Sequence, residues 1–120
     1  MGGNMIEQIQ PGPQLDAAVA AVLGGEYLED IASVFWPDGS YEDWKPSQTW
    51  NGAGLVVERL AELGWTTQVT AQDGGERIAR CLKWEEENGE LELVALTDYF
   101  ECATAPHAIS LAALAALGAG

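Results

Sequence analysis

Between Pro37 and Gly54 the chain reads PDGSYEDWKPSQTWNGAG, and the residue types able to do chemistry are concentrated there. Trp44 and Trp50 offer flat π-faces for stacking on a planar ligand such as a nucleobase, with Lys45 as a cation beside them. Thr49 and Asn51 are alternative N-caps for the helix that follows. The amides of Gly52, Ala53 and Gly54 would then stand at a helix N-terminus, where a phosphate or carboxylate is held well. Gly52 and Gly54 cost helix propensity, so the backbone there is expected to approach something closely, a ligand or a neighbouring strand. Trp44, Lys45, Thr49, Trp50, Asn51, Gly52 and Gly54 are therefore the candidate ligand-binding residues. The same stretch can equally be no more than the way the chain approaches its helix.

Elsewhere the reactive residue types lack partners. The sequence has no serine nucleophile elbow, no phosphate-binding Walker loop, no dinucleotide fingerprint and no paired-histidine metal motif. His107 is the lone histidine, and a general base or a metal ligand needs neighbours to work with. Cys81 and Cys102 fit no close metal-ligand spacing and lie among apolar or β-prone residues, as buried free thiols do. The expectation is a protein that is not an enzyme, with no catalytic residues, no metal and no cofactor.

With 120 residues, 48% of them hydrophobic, the chain has the size and apolar content of one domain with a real core. Nineteen acidic residues against five basic ones give a net charge of −14, a field that repels phosphate backbones and anionic membrane surfaces. Neither nucleic acid nor membrane is an expected partner. No charged and apolar leader and no membrane-length apolar run is legible, which points to the cytoplasm.

The elements that must position these residues follow from periodicity. Residues 1–13 hold three glycines and two prolines without a period and read as a mobile lead-in to a single domain over 14–118. Leu15, Val19, Val22 and Leu23 give a first helix, and Tyr27 to Trp36 is ambiguous between helix and extended chain. A turn at Pro37-Asp38-Gly39 and loop or hairpin up to Pro46 lead to a second helix starting near Trp50 or Asn51, with Leu55, Val56, Leu60 and Leu63 on one face and Gly64 after its end. Then the period becomes two. WTTQVTAQ, RIARCLKWEE and LELVALTDYFEC are three antiparallel strands, joined at DGG and ENGE. The third is apolar on both parities from Leu93 to Leu96, which predicts cover on both sides. Trp65 and Trp84 read as sheet-packing residues. Thr104 caps a closing helix whose Ile109, Leu111, Leu114 and Leu117 occupy most of its circumference, so it is either deeply packed or a surface for homo-oligomers.

Two stretches resemble the phage ABA sandwich domain, a family of small phage and prophage proteins with helices on both faces of an antiparallel sheet. PSQTWNGAGLVVERL, Pro46 to Leu60, is similar to the family's central helix, and ATAPHAISLAALAAL, Ala103 to Leu117, to its closing helix. The order of the intervening strands agrees, and the likeness spans roughly positions 15 to 117. Thr49 stands where the family usually has an acidic residue, and Gly52 and Gly54 replace better helix formers. The resemblance implies an α/β (α+β) fold, an α-β-α sandwich with a three-stranded antiparallel meander between helices, in the cytoplasm of a bacterial host. It implies no reaction. Within that setting the candidate residues suggest sequestration of a small nucleotide-like ligand, such as a host defence signal. The acidic clusters EYLED, DGSYED and EEENGELE suggest the alternatives: solvated turn flanks, or an interaction module or DNA mimic that inhibits a host protein. A virion or assembly accessory is the remaining class.

Overall fold

A computed structural model describes residues 5–71 and 74–118. The α+β class holds, with three α-helices and two antiparallel sheets among the described residues. Helix α1 spans Pro13–Val22 and leads into a small sheet of β1 (Glu26–Leu28), β2 (Ser33–Phe35) and β3 (Tyr41–Asp43). Helix α2, Trp50–Glu62, precedes β4 (Trp65–Ala71), β5 (Arg77–Glu87), β6 (Glu90–Leu96) and β7 (Phe100–Cys102), and α3 closes the chain at Ala105–Gly118.

The meander forms where the alternating pattern put it. Trp65 pairs Lys83 and Ala71 pairs Arg77 at the two ends of the β4–β5 ladder. Asn88 and Gly89, with φ of 56° and 83°, turn β5 into β6 in the left-handed conformation that matches strand twist. The expected third strand is β6 and β7 together, two runs along one edge of β5: Leu96 pairs Leu82, and Phe100 pairs Ala79. Of the turn at 73–75, Asp73 lies outside the described residues.

Cover is where the structure departs from expectation. Ala79 and Cys81 of β5, Trp65 of β4, and Phe100 and Cys102 of β7 are buried on one face, against α3 and α2. Among the described residues no helix lies over the opposite face: Leu91 is 70% exposed, Leu96 52% and Trp84 40%. The helices thus sandwich the large sheet on one side only. The reason lies in α3, whose apolar circumference is used by β5 and β7, by α1 and by α2 at once, which groups the three helices together. For the same reason most of α3 is taken up within the chain, where Ala105, Ala108, Ile109, Leu111, Ala112 and Ala113 are buried, while Leu114 and Leu117 near its end are only partly covered.

The small sheet decides the alternatives left between Tyr27 and Pro46 in favour of extended chain and hairpin, with only a 3-10 turn at Glu29–Ile31; strands of three residues are too short to display a period of two. It adjoins α1 through β1 and α2 through the Arg59 guanidinium, which lies 3.5 Å over the Trp36 ring. From Met5 onward the expected mobile lead-in is also fastened, its residues 1–4 lying outside the described residues. Met5–Gln8 forms a 3-10 turn, Ile6 and Ile9 pack on the core, and His107 Nε2–H donates to the Ile9 carbonyl at 2.8 Å. This bond gives the lone histidine a structural duty.

Candidate functional site

The stretch that concentrates the reactive residue types is folded inward. Trp36 and Trp44 meet edge to face with ring centroids 5.4 Å apart, and both are fully enclosed. Each indole N–H is used: Trp36 donates to Glu42 at 2.6 Å and Trp44 to the Asp16 carbonyl at 2.9 Å. Trp44 therefore presents no face to a ligand, a correction to the stacking role expected of it. Its burial is set by α1, because the Asp16 carboxylate also accepts from the Ser47 amide and the Gln48 side chain, both at 2.8 Å. Trp50 is the opposite case, 67% exposed on the first residue of α2.

Of the two alternative caps, Thr49 is the one used. Its Oγ1 accepts from the Gly52 amide at 3.0 Å and donates to the Lys45 carbonyl at 3.1 Å, while the Ala53 amide bonds the Thr49 carbonyl. All three amides expected to hold phosphate are thus occupied, Gly52 and Ala53 by the cap residue and Gly54, one turn into α2, by the helix's own i→i−4 ladder. The closeness demanded by Gly52 is to the chain itself, since a Cβ there would stand 2.6 Å from the Lys45 carbonyl carbon. Gly54 has open space around it. A groove of about 460 Å³ does run beside this helix start, gathering Lys45, Thr49, Asn51 and Gly52 of the seven candidates. Trp44, Trp50 and Gly54 do not line it. Glu42 and Asp43 face the same space, so an anionic ligand there would meet two carboxylates as well as one lysine.

A second uncommitted surface is the open sheet face, where the apolar pattern of the third strand predicts cover. Its geometry comes from one irregularity. Lys83 pairs Ala95 but Trp84 pairs Leu93, so Val94 is an extra residue in β6, a β-bulge. Leu96 differs in parity from Leu91 and Leu93, and without the bulge it would point to the other side. With it, Leu91, Leu93 and Leu96 share one face, opposite Glu86, Trp84 and Leu82 of β5. Tyr99 extends the apolar row with its ring under the Arg80 guanidinium at 4.4 Å, and Arg80 also donates to Gln68 across the β4–β5 ladder. The signal was present as the apolar run on both parities; what it meant was a bulge and not a second layer.

No family model, curated protein or solved structure matches the chain. Its own residues therefore carry the functional reading. Among the described residues no group of three or more His, Cys, Asp or Glu side chains converges to hold a metal ion, and no helix is long and apolar enough to cross a membrane. Cys81 and Cys102 are free and buried, as their sequence neighbourhoods suggested. Burial pushes both thiols up to about 11, which keeps them in the unreactive protonated form.

Proposed function

We propose that this chain acts by binding, not by catalysis, as an acidic protein-interaction module whose working surface is the open face of the large sheet. The observation that carries this reading is the row of Leu82, Trp84, Leu91, Leu93, Leu96 and Tyr99 on a face that no helix among the described residues covers. Contiguous exposed apolar surface on a folded domain marks an interaction site more often than an accident of composition. The bulge at Val94 and the glutamates of β6 guard that edge of the sheet against strand addition. The resemblance of the helix sequences to the phage ABA sandwich domain supports a phage or prophage accessory protein, one that inhibits a host protein or joins virion assembly, in the host cytoplasm.

The double variant Leu93→Ser/Leu96→Ser is the test. Both side chains are exposed, so the variant is expected to unfold within about 1 kcal/mol of the parent. Immobilised parent protein is expected to retain a partner from host extract or phage particles that the variant does not. Identical proteins on both columns would remove the face from this reading, and no retained protein would remove the reading.

Capture of a nucleotide-like ligand is the second reading, favoured by the groove that brings Lys45, Thr49, Asn51 and Gly52 together and opposed by its two carboxylates. Calorimetry against cyclic and ADP-ribose-type nucleotides distinguishes it. Micromolar binding that Lys45→Ala weakens by about tenfold, or ~1.4 kcal/mol, is the supporting result; absence of heat at micromolar concentrations ends it.

A further inference from the structure

We infer that the occupant of the open sheet face is a basic amphipathic segment of another protein, a run of apolar side chains flanked by lysine or arginine. The inference rests on the interaction-module reading above and names the chemistry of the partner. The distribution of charge around the apolar row decides it.

The chain has five basic residues, and most are already engaged by their surroundings. Arg59 lies on Trp36 and forms, with Glu42 at 3.7 Å, the one side-chain ion pair among the described residues. Arg80 is held by Gln68 and Tyr99, Arg77 donates to the Gly75 carbonyl, and Lys45 lines the groove beside α2. Lys83 points to the helix side of the sheet, the side that alternation also gives Glu85 and Glu87, with its ammonium 5.8 Å from the Trp65 ring and in no ion pair within 4 Å among the described residues. The hairpin from 84 to 96 contains no basic residue at all.

That hairpin instead carries unneutralised like charges in register. Glu85 pairs Glu92 and Glu87 pairs Glu90 across the strands, arrangements that weaken a ladder when nothing neutralises them. Alternation puts these four carboxylates on the face opposite Trp84, Leu91 and Leu93, on a ribbon only two strands wide. At the far end of the sheet Glu76 and Glu101 are also close, and Glu76, as acceptor of a hydrogen bond from the Glu101 carboxyl and as a like charge, raises that carboxyl above its ordinary range. The apolar row therefore has acidic groups at both ends and behind it. Long basic side chains on a docked segment can keep their stems on the apolar face while their charged heads reach round the ribbon to the carboxylates.

A second copy of this chain fits less well. It would bring the same uncompensated glutamates to the same place, and like charges brought together across an interface oppose association. A nucleic acid is opposed by the same field. A cationic segment is attracted by it, gains the apolar contact of Trp84 and the leucines, and relieves the Glu85–Glu92 and Glu87–Glu90 repulsion.

The probe is a synthetic leucine/lysine peptide long enough for about five helical turns, labelled for fluorescence anisotropy and titrated with the full chain at low and moderate salt. Controls are a scrambled peptide of the same composition and an amphipathic leucine/glutamate peptide. The amphipathic basic peptide is expected to bind at least tenfold more tightly than either control. Leu93→Ser/Leu96→Ser is expected to cost at least tenfold, and Glu85→Gln/Glu92→Gln several-fold with a shallower salt dependence. Equal binding of the scrambled peptide, or no loss in the leucine variant, overturns the inference. So does sedimentation of the parent chain as a dimer that the leucine variant dissociates, because the occupant is then a second copy. If the leucine variant loses a partner from host extract while the basic peptide fails to bind the parent, the interaction module stands and its basic partner falls.

Discussion

Replacing Asp16 with alanine is expected to lower the stability by roughly 3 kcal/mol, since hydrogen bonds to a charged group are worth about 1.5–3 kcal/mol each and orphaned buried donors add to the loss. Asp16 is completely enclosed. One carboxylate oxygen accepts from the Ser47 amide and the other from the Gln48 side chain. The Ser47 hydroxyl in turn accepts from the Gly12 amide at 2.9 Å, so the start of α1 and the segment before α2 are held to each other on both sides of this residue. Alanine leaves the Ser47 N–H without an acceptor in a place that water does not reach. Asp16→Asn keeps an acceptor for Ser47 but turns an amide toward the Gln48 amide, and is expected to cost about half as much. Urea unfolding reads both as shifts in midpoint at constant slope. An alanine variant with the parent's midpoint would mean that this network does not hold the segment.

Asp16 also marks the boundary of what could be read from residues in order. The α1 helix was legible from Leu15, Val19, Val22 and Leu23, because helical spacing is a local property. That Asp16 faces inward was not, because its partners Ser47 and Gln48 lie 31 and 32 residues further on. Trp44 was misassigned for the same reason: an aromatic between Asp43 and Lys45 looks exposed until α1 arrives to cover it. The β4–β5–β6 ladder was legible, since alternation and the Asn88-Gly89 pair are local signals, and so were the Thr49 and Thr104 caps and the left-handed Gly64 after α2, with φ of 91°. The bulge at Val94 was not, because apolar residues on both parities fit a bulged one-sided face as well as a strand covered twice. Of the candidate site, Lys45, Thr49, Asn51 and Gly52 do come together at one groove. The open face was hidden by the expectation that so apolar a strand must be covered by its own chain.

Substitution of the two α2 glycines is expected to give opposite signs. Both have ordinary helical backbone, so the cause is space and not φ. At Gly52 a Cβ would lie 2.6 Å from the Lys45 carbonyl carbon and 2.7 Å from both its oxygen and the Pro46 nitrogen. These are backbone atoms, and Pro46 and Ser47 next to them are buried and fixed by Asp16. Gly52→Ala must push the segment off α2, at a cost near the upper end of overpacking, about 3 kcal/mol. At Gly54 nothing lies within 4 Å, so alanine simply gains helix propensity and is expected to stabilise by about 0.5–1 kcal/mol. Losses of similar size at both positions would show that the helix start, and not the contact with Lys45 and Pro46, controls the effect. With the expected signs, Gly52 is explained by the fold, whereas Gly54 is a glycine that packing does not require. Nucleotide calorimetry on the more stable Gly54→Ala protein then isolates the remaining question at this helix start: unchanged heats separate Gly54 from any ligand, and lost binding would give that glycine the only role its surroundings leave for it.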